Sequence, residues 1–301
     1  MILRAPLSYF GAKWRVSPDV WARFGNPPNF VEPFCGSAAI LLGRPGAPGN
    51  ETINDFGGLV VNFWRSLKYE HEKVVEWAGA IPCISEIDLH SRHKWVIERK
   101  EGLAEELEAD PFYCDPPLAG WWVYGMCAQL GGEFGTKFNR SIPKSSREGI
   151  FSDRGENLLE YFAALADRLK SVRVCCGDWE RVVQPSSTIH CGRPTAIFLD
   201  PPYEGDFNQE YETQTDGAAG RCKTWAIENG DNPDLRIALC GYIRYLEDMP
   251  KNWEIFRWKA TGGYGNTGEA EASKQNATEE AICFSPHCLR VENQLFGEDA
   301  C

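Results

Sequence analysis

No stretch of about eighteen apolar residues without a charge occurs in the chain, and Met1-Ile2-Leu3-Arg4-Ala5-Pro6 carries no long apolar run behind a basic patch. A membrane span and an exported precursor are therefore not expected, and the reading is a soluble, cytoplasmic protein. No Cys-x2-Cys pair is present, and Cys283 with Cys288 lacks a partner pair at finger spacing, which argues against zinc. The 12 cysteines are scattered over 301 residues, several inside apolar runs as Cys175, Cys176 and Cys240 are. Reduced, structural thiols fit that pattern better than a disulfide framework. Basic residues are short too: 31 Lys and Arg stand against 43 Asp and Glu, a formal net charge of -12. Phosphate neutralisation supplies most non-specific affinity for nucleic acid, so a nucleic-acid partner would have to be held by local clusters. Two exist in the middle third: Lys137, Arg140, Lys144 and Arg147 with no acid between them, and Arg92, Lys94, Arg99 and Lys100. Internal repeats and low-complexity tracts are absent.

What is present is an alternation. Short apolar, β-branched runs ending at turn residues predict strands at Phe30 to Phe34, Thr52 to Asn54, Val172 to Cys176, Ala196 to Leu199, Arg236 to Tyr242, Glu254 to Trp258 and Glu280 to Phe284. Helical signals fall between several of them. Gly57 to Tyr69 follows the second run, and Asp153 with Glu156 resembles a capping box ahead of Leu158, Phe162, Leu165 and Leu169 on one face. The pattern predicts a doubly wound α/β sheet. Between about Tyr69 and Gly155 the alternation stops and Trp95, Trp121, Trp122 and Tyr124 sit beside basic residues, which reads as an inserted, mainly helical subdomain. Residues 1–68 and 156–291 then form the main domain, 69–155 the insertion and 292–301 a frayed tail. Glu204 to Asp234, polar and glycine-bearing after a strand end, reads as a mobile loop over a site.

The sharpest local signal is Ala196-Ile197-Phe198-Leu199-Asp200-Pro201-Pro202-Tyr203, a buried strand with a carboxylate, two prolines and an aromatic ring at its carboxyl end. Ligands of open α/β sheets sit at that edge. Two prolines fix φ and remove two N–H donors, so the Asp200 side chain and the Pro201 carbonyl can face an NH2 group as two acceptors, with Tyr203 available for stacking. Cys114-Asp115-Pro116-Pro117-Leu118 repeats the tripeptide without a preceding apolar strand or a following Tyr, so Asp115 reads as a turn residue. A second constellation, Asn29 to Ala39, is a strand, a small-residue turn and a helix start, in which small residues let a ligand approach the backbone and Glu32 is the acid at the strand end. Glu51-Thr52-Ile53-Asn54-Asp55 ends another strand in an acid about where a nucleotide fold places its ribose carboxylate; a helix N-cap is a compatible role.

Together these segments resemble the Dam-like class of DNA adenine-N6 methyltransferases, over most of the chain. The family's opening aromatic, glycine and lysine motif is matched by Ser8-Tyr9-Phe10-Gly11-Ala12-Lys13, its Phe-Val-Glu-Pro-Phe-x-Gly segment by Phe30 to Gly36, its Asn-Asp pair by Asn54 and Asp55, and its Asp-Pro-Pro-Tyr by Asp200 to Tyr203. The cofactor motif comes first, as in the family's α arrangement. The resemblance implies a seven-stranded Rossmann-like methyltransferase sheet with an inserted target-recognition subdomain. It also implies that S-adenosylmethionine is held by Tyr9, Lys13, Glu32, Phe34, Gly36 and Asp55, with Asp178 near its adenine. Asp200, Pro201, Pro202 and Tyr203 would carry catalysis. Two departures stand out: Ala38 replaces the second motif glycine and Ala12 the usual glycine of the opening motif.

The partner implied is double-stranded DNA, with the target adenine flipped out of the stack, and Lys137, Arg140, Lys144 and Arg147 as candidates for phosphate or base-edge contacts. A solvated basic loop is the plain alternative for those four. No metal is required. The same diproline turn occurs among enzymes that methylate cytosine N4, RNA adenine or a protein amide. A non-catalytic DNA-binding or regulatory protein of the same fold is the alternative from a different class.

Overall fold

The computed structural model describes residues 3–7, 9, 11, 13–79, 85–110, 112–130, 134–144, 149–152, 157–202, 217–258 and 280–291. Its seven strands are β1 (Asn29–Glu32), β2 (Asn50–Asp55), β3 (Val172–Cys176), β4 (Thr195–Leu199), β5 (Leu235–Tyr242), β6 (Glu254–Arg257) and β7 (Glu280–Phe284), in one sheet ordered β3-β2-β1-β4-β5-β7-β6. The pairs from β3 across to β5 are parallel, whereas β7 runs antiparallel to both β5 and β6. This α/β order is consistent with a Rossmann-like methyltransferase. All seven strands expected from the apolar runs are present, with ends shifted by a few residues. The first stops at Glu32, which leaves Phe34 in the turn beyond it.

Helices cover both faces. They are α1 (Ser17–Phe24), α2 (Ala39–Leu42), α3 (Gly58–Gly79), α4 (Glu86–Arg99), α5 (Leu103–Ala109), α6 (Pro116–Ala128), α7 (Leu158–Leu169), α8 (Ala218–Asn229) and α9 (Ile243–Leu246). Side chains alternate across a strand, and the two halves of the core follow that period of two. Phe30, Ala196 and Phe198 face the larger cluster with Phe63 and Trp64 of α3 and Leu165 of α7. Val31, Ile197 and Leu199 face the other, with Trp179 and with Cys222 and Ala226 of α8.

The segment 69–155 is mainly helical where described, yet it shares a continuous core with the sheet. Leu118, Trp122 and Val123 of α6 belong to the same buried cluster as Phe30 and Ile53. Helix α3 runs through the expected boundary and kinks there, Glu70 leaving helical geometry at φ -138° and ψ 39°. Asp115 caps α6, its side chain accepting from Leu118 N at 2.9 Å, and pairs with Arg99 Nε at 2.9 Å, so the second diproline is a helix start. The expected loop from Glu204 to Asp234 is helical in part: α8 occupies Ala218–Asn229, while 203–216 lie outside the described residues. The Asp153 and Glu156 box lies outside them too, and α7 starts from Asn157 without a side-chain cap. So does the tail from residue 292. Among the described residues no helix is long and apolar enough to cross a membrane, the cysteines are free, and no cluster of His, Cys, Asp and Glu suits a metal.

Candidate functional site

The strand order reverses between β1 and β4: β2 and β3 extend from one side of β1, β4 and β5 from the other. A crevice at the carboxyl ends of the strands on either side of such a switch point is where open α/β sheets take ligands. The parallel register decides what stands there. Val31 is level with Ile197, Glu32 with Ile53, Asp55 with Cys176, and Leu199 with Leu239. Asp55 ends β2, and continuing the other three strands one to four residues brings Asp178, the Gly36 turn and Asp200 into one row with it along the same edge.

The row is knitted by buried hydrogen bonds. Asp55 accepts from Gly36 N and from Gly57 N, each at 2.9 Å, so it fastens the β1 turn to the start of α3. Asn54 donates its side-chain amide to the Pro33 and Gly177 carbonyls, both at 2.9 Å, and so joins the loops after β1 and β3. Phe34 packs against Trp179 with ring centres 6.1 Å apart. Asp178 caps the short helix beginning at Trp179, accepting from Glu180 N at 2.9 Å, and pairs with Arg221 of α8 at 2.8 Å.

Gly36 adopts φ +42°, and a Cβ there would lie 2.6 Å from the Tyr9 ring, so only glycine lets the N-terminal aromatic seat on the turn. Ala38 stands in left-handed geometry at φ 49° and ψ 36°, where the resemblance leads one to expect glycine. Such a conformation costs an L-residue about 1–2 kcal/mol, so the turn's shape is retained although the residue that eases it is not.

Asp200 follows β4 directly, and its carboxylate is engaged from two directions. Lys13 Nζ lies 3.0 Å from Oδ2, with the side chains 5% and 20% exposed. Cys240, level with it on β5, lies against the same carboxylate; burial first, and Asp200 next, push its thiol well above the usual range. Lys13 also donates to the Gly11 carbonyl at 2.8 Å and stands 3.9 Å from Glu280 of β7. Burial works against its charge, but the Asp200 and Glu280 carboxylates outweigh that and hold the ammonium above its ordinary range. The residues expected at the cofactor therefore divide. Tyr9, Gly36, Asp55, Phe34 and Asp178 line the β1 to β3 side, whereas Lys13 reaches across to the diproline corner. Glu280 and Cys240 were not anticipated. Tyr203 lies outside the described residues.

No protein-family model matches the chain, and no curated protein does. The geometry therefore has to carry the functional argument.

Glu32 is 2% exposed and faces α2, accepting from Ile40 N at 3.4 Å and Leu41 N at 3.0 Å. These donors favour the carboxylate, yet burial dominates and pushes its pKa from 4.5 up to about 8, with Asp200 and Glu51 adding to the rise. A raised folded-state value means that the fold binds this proton more tightly than the unfolded chain does. The stability it contributes is complete below pH 4.5 and is lost as pH rises through about 8. Glu32→Gln is expected to remove that loss, so that urea unfolding at mildly acid and at mildly alkaline pH shows the variant gaining on the parent as pH rises. Parallel pH dependences would refute it.

Of the basic candidates in the insertion, Lys137 and Arg140 are exposed, Lys144 is buried, and Arg147 lies outside the described residues. Of these four, Lys137 and Arg140 alone among the described residues present their side chains to solvent. In the second cluster Arg99 is engaged by Asp115 and Glu106, at 2.9 and 3.4 Å, and Arg92 stacks 4.2 Å from the Tyr124 ring centre.

Proposed function

We propose that this chain is a methyltransferase that moves a methyl group from S-adenosylmethionine to N6 of an adenine flipped out of double-stranded DNA, in the cytoplasm. The observation that carries the reading is the row of strand ends at the β1/β4 switch point, in which a glycine turn tied to a buried aspartate stands beside an Asp-Pro-Pro corner. The residues present fit the cofactor. A tight turn with no side chain at Gly36 admits close approach, and the Asp55 carboxylate stands directly beside that turn. When bound, S-adenosylmethionine supplies an electrophilic sulfonium methyl.

Everything else asked of the site belongs to the protein. Adenine's amino nitrogen is a poor nucleophile because its lone pair is delocalised into the ring. Lys13 and Cys240 stand against the Asp200 carboxylate, which is to accept one N–H of the amine, and the Pro201 carbonyl is placed by the diproline to accept from the other. Two such bonds draw the nitrogen toward tetrahedral geometry and localise its pair. Positive charge then gathers on N6 in the transition state, which a fixed carboxylate stabilises without first taking a proton. The insertion around α4 to α6, with Lys137 and Arg140 exposed, is read as the target-recognition part.

A planar NH2 on cytosine or on RNA would satisfy the same two acceptors; the order and wording of the motifs, from Tyr9 to Lys13 through Gly36 to Asp200, favour DNA adenine. The test is transfer itself. After incubation with duplex DNA and methyl-labelled S-adenosylmethionine, digestion to nucleosides is expected to put the label on N6-methyladenine. Label on N4-methylcytosine would move the reading to the other base, and absence of both transfer and cofactor crosslinking would leave a non-catalytic protein.

A further inference from the structure

A cationic feature outside the two basic clusters lies beside the Asp200 corner. The segment 3–7 runs along α7, and both backbone groups of Arg4 are clipped by one side chain: Arg4 N donates to the Tyr161 hydroxyl at 2.8 Å, and that hydroxyl donates to the Arg4 carbonyl. Tyr161 is 6% exposed, so the clip is anchored in the core. From this fixed backbone the Arg4 guanidinium lies over Trp14, 4.0 Å from its ring centre, and Arg15 approaches the same ring at 5.3 Å. Trp14 is 42% exposed and directly follows Lys13, whose ammonium is on Asp200.

Several arginines in this acidic chain find carboxylates, as Arg23 takes Glu254, Arg44 and Arg168 take Glu51, and Arg221 takes Asp178, while others such as Arg65 and Arg236 find backbone carbonyls. Arg4 makes no ion pair among the described residues, although 43 acidic side chains are available in the chain. A guanidinium stacked on an indole keeps its in-plane N–H fork, the geometry that matches a phosphate. Two cations on an exposed ring at the edge of a site suit a ligand that extends beyond the pocket, as a polynucleotide strand does.

We propose that Arg4, Trp14 and Arg15 form a phosphate-gripping lip that holds the backbone of the strand carrying the target base beside the Asp200 corner. The proposal rests on the methyltransferase reading above and adds a contact surface to it. The indole is the platform that sets the Arg4 fork, and the clip to Tyr161 means that little ordering is left for binding.

The test measures affinity for a fluorescent random-sequence duplex at several salt concentrations, alongside affinity for S-adenosylmethionine. Arg4→Gln and Arg15→Gln are each expected to flatten the slope of log affinity against log salt by about 0.9, and the double variant by about twice that. Trp14→Ala should reproduce the Arg4→Gln effect and Trp14→Phe should not. Cofactor affinity should be unchanged in all of them, which also reports that they fold. An unaltered slope in the double variant overturns the lip alone. Weakened cofactor binding with an unaltered DNA slope overturns it in favour of a role at the cofactor's carboxylate. Failure of the parent protein to bind DNA overturns the DNA reading itself and takes the lip with it.

Discussion

Asn in place of Asp200 is expected to lower the rate of methyl transfer about a thousandfold, the upper end of what removal of one preorganised electrostatic partner costs. The reason is a count of acceptors. The carboxylate has two oxygens, of which Oδ2 faces the Lys13 ammonium at 3.0 Å. An amide has one oxygen. If that oxygen serves Lys13, the amide NH2 faces the substrate amine, donor against donor; if it serves the amine, the NH2 faces a buried ammonium. Either way the charge that would balance the developing cation on N6 is gone. The side proposed for the cofactor, at Tyr9, Gly36 and Asp55, is untouched, so S-adenosylmethionine affinity should stay within about threefold, the pattern of a residue that acts in the transition state. Asp200→Ala should lose transfer equally, but it takes from Lys13 the nearer of its two carboxylates, so the Asn variant is the cleaner comparison. A folded Asn variant retaining a tenth or more of parental turnover would sink the assignment of Asp200.

Lys13 shows where sequence reasoning stops. Asp200, Gly36 and Asp55 were legible because each follows a short apolar run, and a parallel sheet sends all such ends to one edge. The partners that orient Asp200 come from β5, from β7 and from a segment near the N-terminus, and nothing local in Cys240 or Glu280 points to a carboxylate met only in three dimensions. A charged residue opening the apolar run Glu280 to Phe284 was the one available hint. Asp55 shows the opposite case: the acid to which the strand end pointed does tie two backbone amides, at the Gly36 turn and ahead of α3.

The fold was legible to a similar degree and for a similar reason. Strands rich in Val, Ile and Phe announce themselves, whereas their polar amino ends were missed: Asn29 and Thr195, buried by pairing and a side-chain hydrogen bond, and the exposed Asn50. Helix α8 was read as loop because the face it buries is Ala218, Ala219, Cys222 and Ala226, small residues that carry the helical period with little hydrophobic contrast. The insertion was read as a separate unit because its charges and tryptophans break the strand–helix alternation. Yet α6 is apolar on nearly every side and, with α3, extends the core that covers one face of the sheet.

At the edge of the sheet opposite the site, Glu51→Ala is expected to cost about 3–5 kcal/mol of folding stability, the range for breaking a buried ion pair from one side. Glu51 has a fully buried side chain, and Arg168 from the last turn of α7 meets it in a two-pronged contact, Nη1 to Oε2 at 2.6 Å and Nη2 to Oε1 at 2.7 Å. Arg44, 2% exposed, adds a third contact at 3.1 Å. Removing the carboxylate leaves two guanidiniums without their counter-ion where little water reaches them. Their remaining acceptors, the Leu41 carbonyl for Arg168 and the Pro27 carbonyl with Asn26 for Arg44, satisfy N–H groups but not charge. Since a domain's whole stability is about 5–15 kcal/mol, the loss is a large share of it, visible as a lower urea midpoint with an unchanged slope. Glu51→Gln should fall between parent and Ala, because its amide oxygen keeps one acceptor for Arg168. The proposed methyl-transfer site at the other edge should respond only through the fraction folded, so that the proposed activity recovers when the Ala variant is assayed at a temperature where it is native. A midpoint within about 1 kcal/mol of the parent would mean that the two arginines find water once the carboxylate is gone, and that this triad fixes the docking of α7 on β2 without stabilising it.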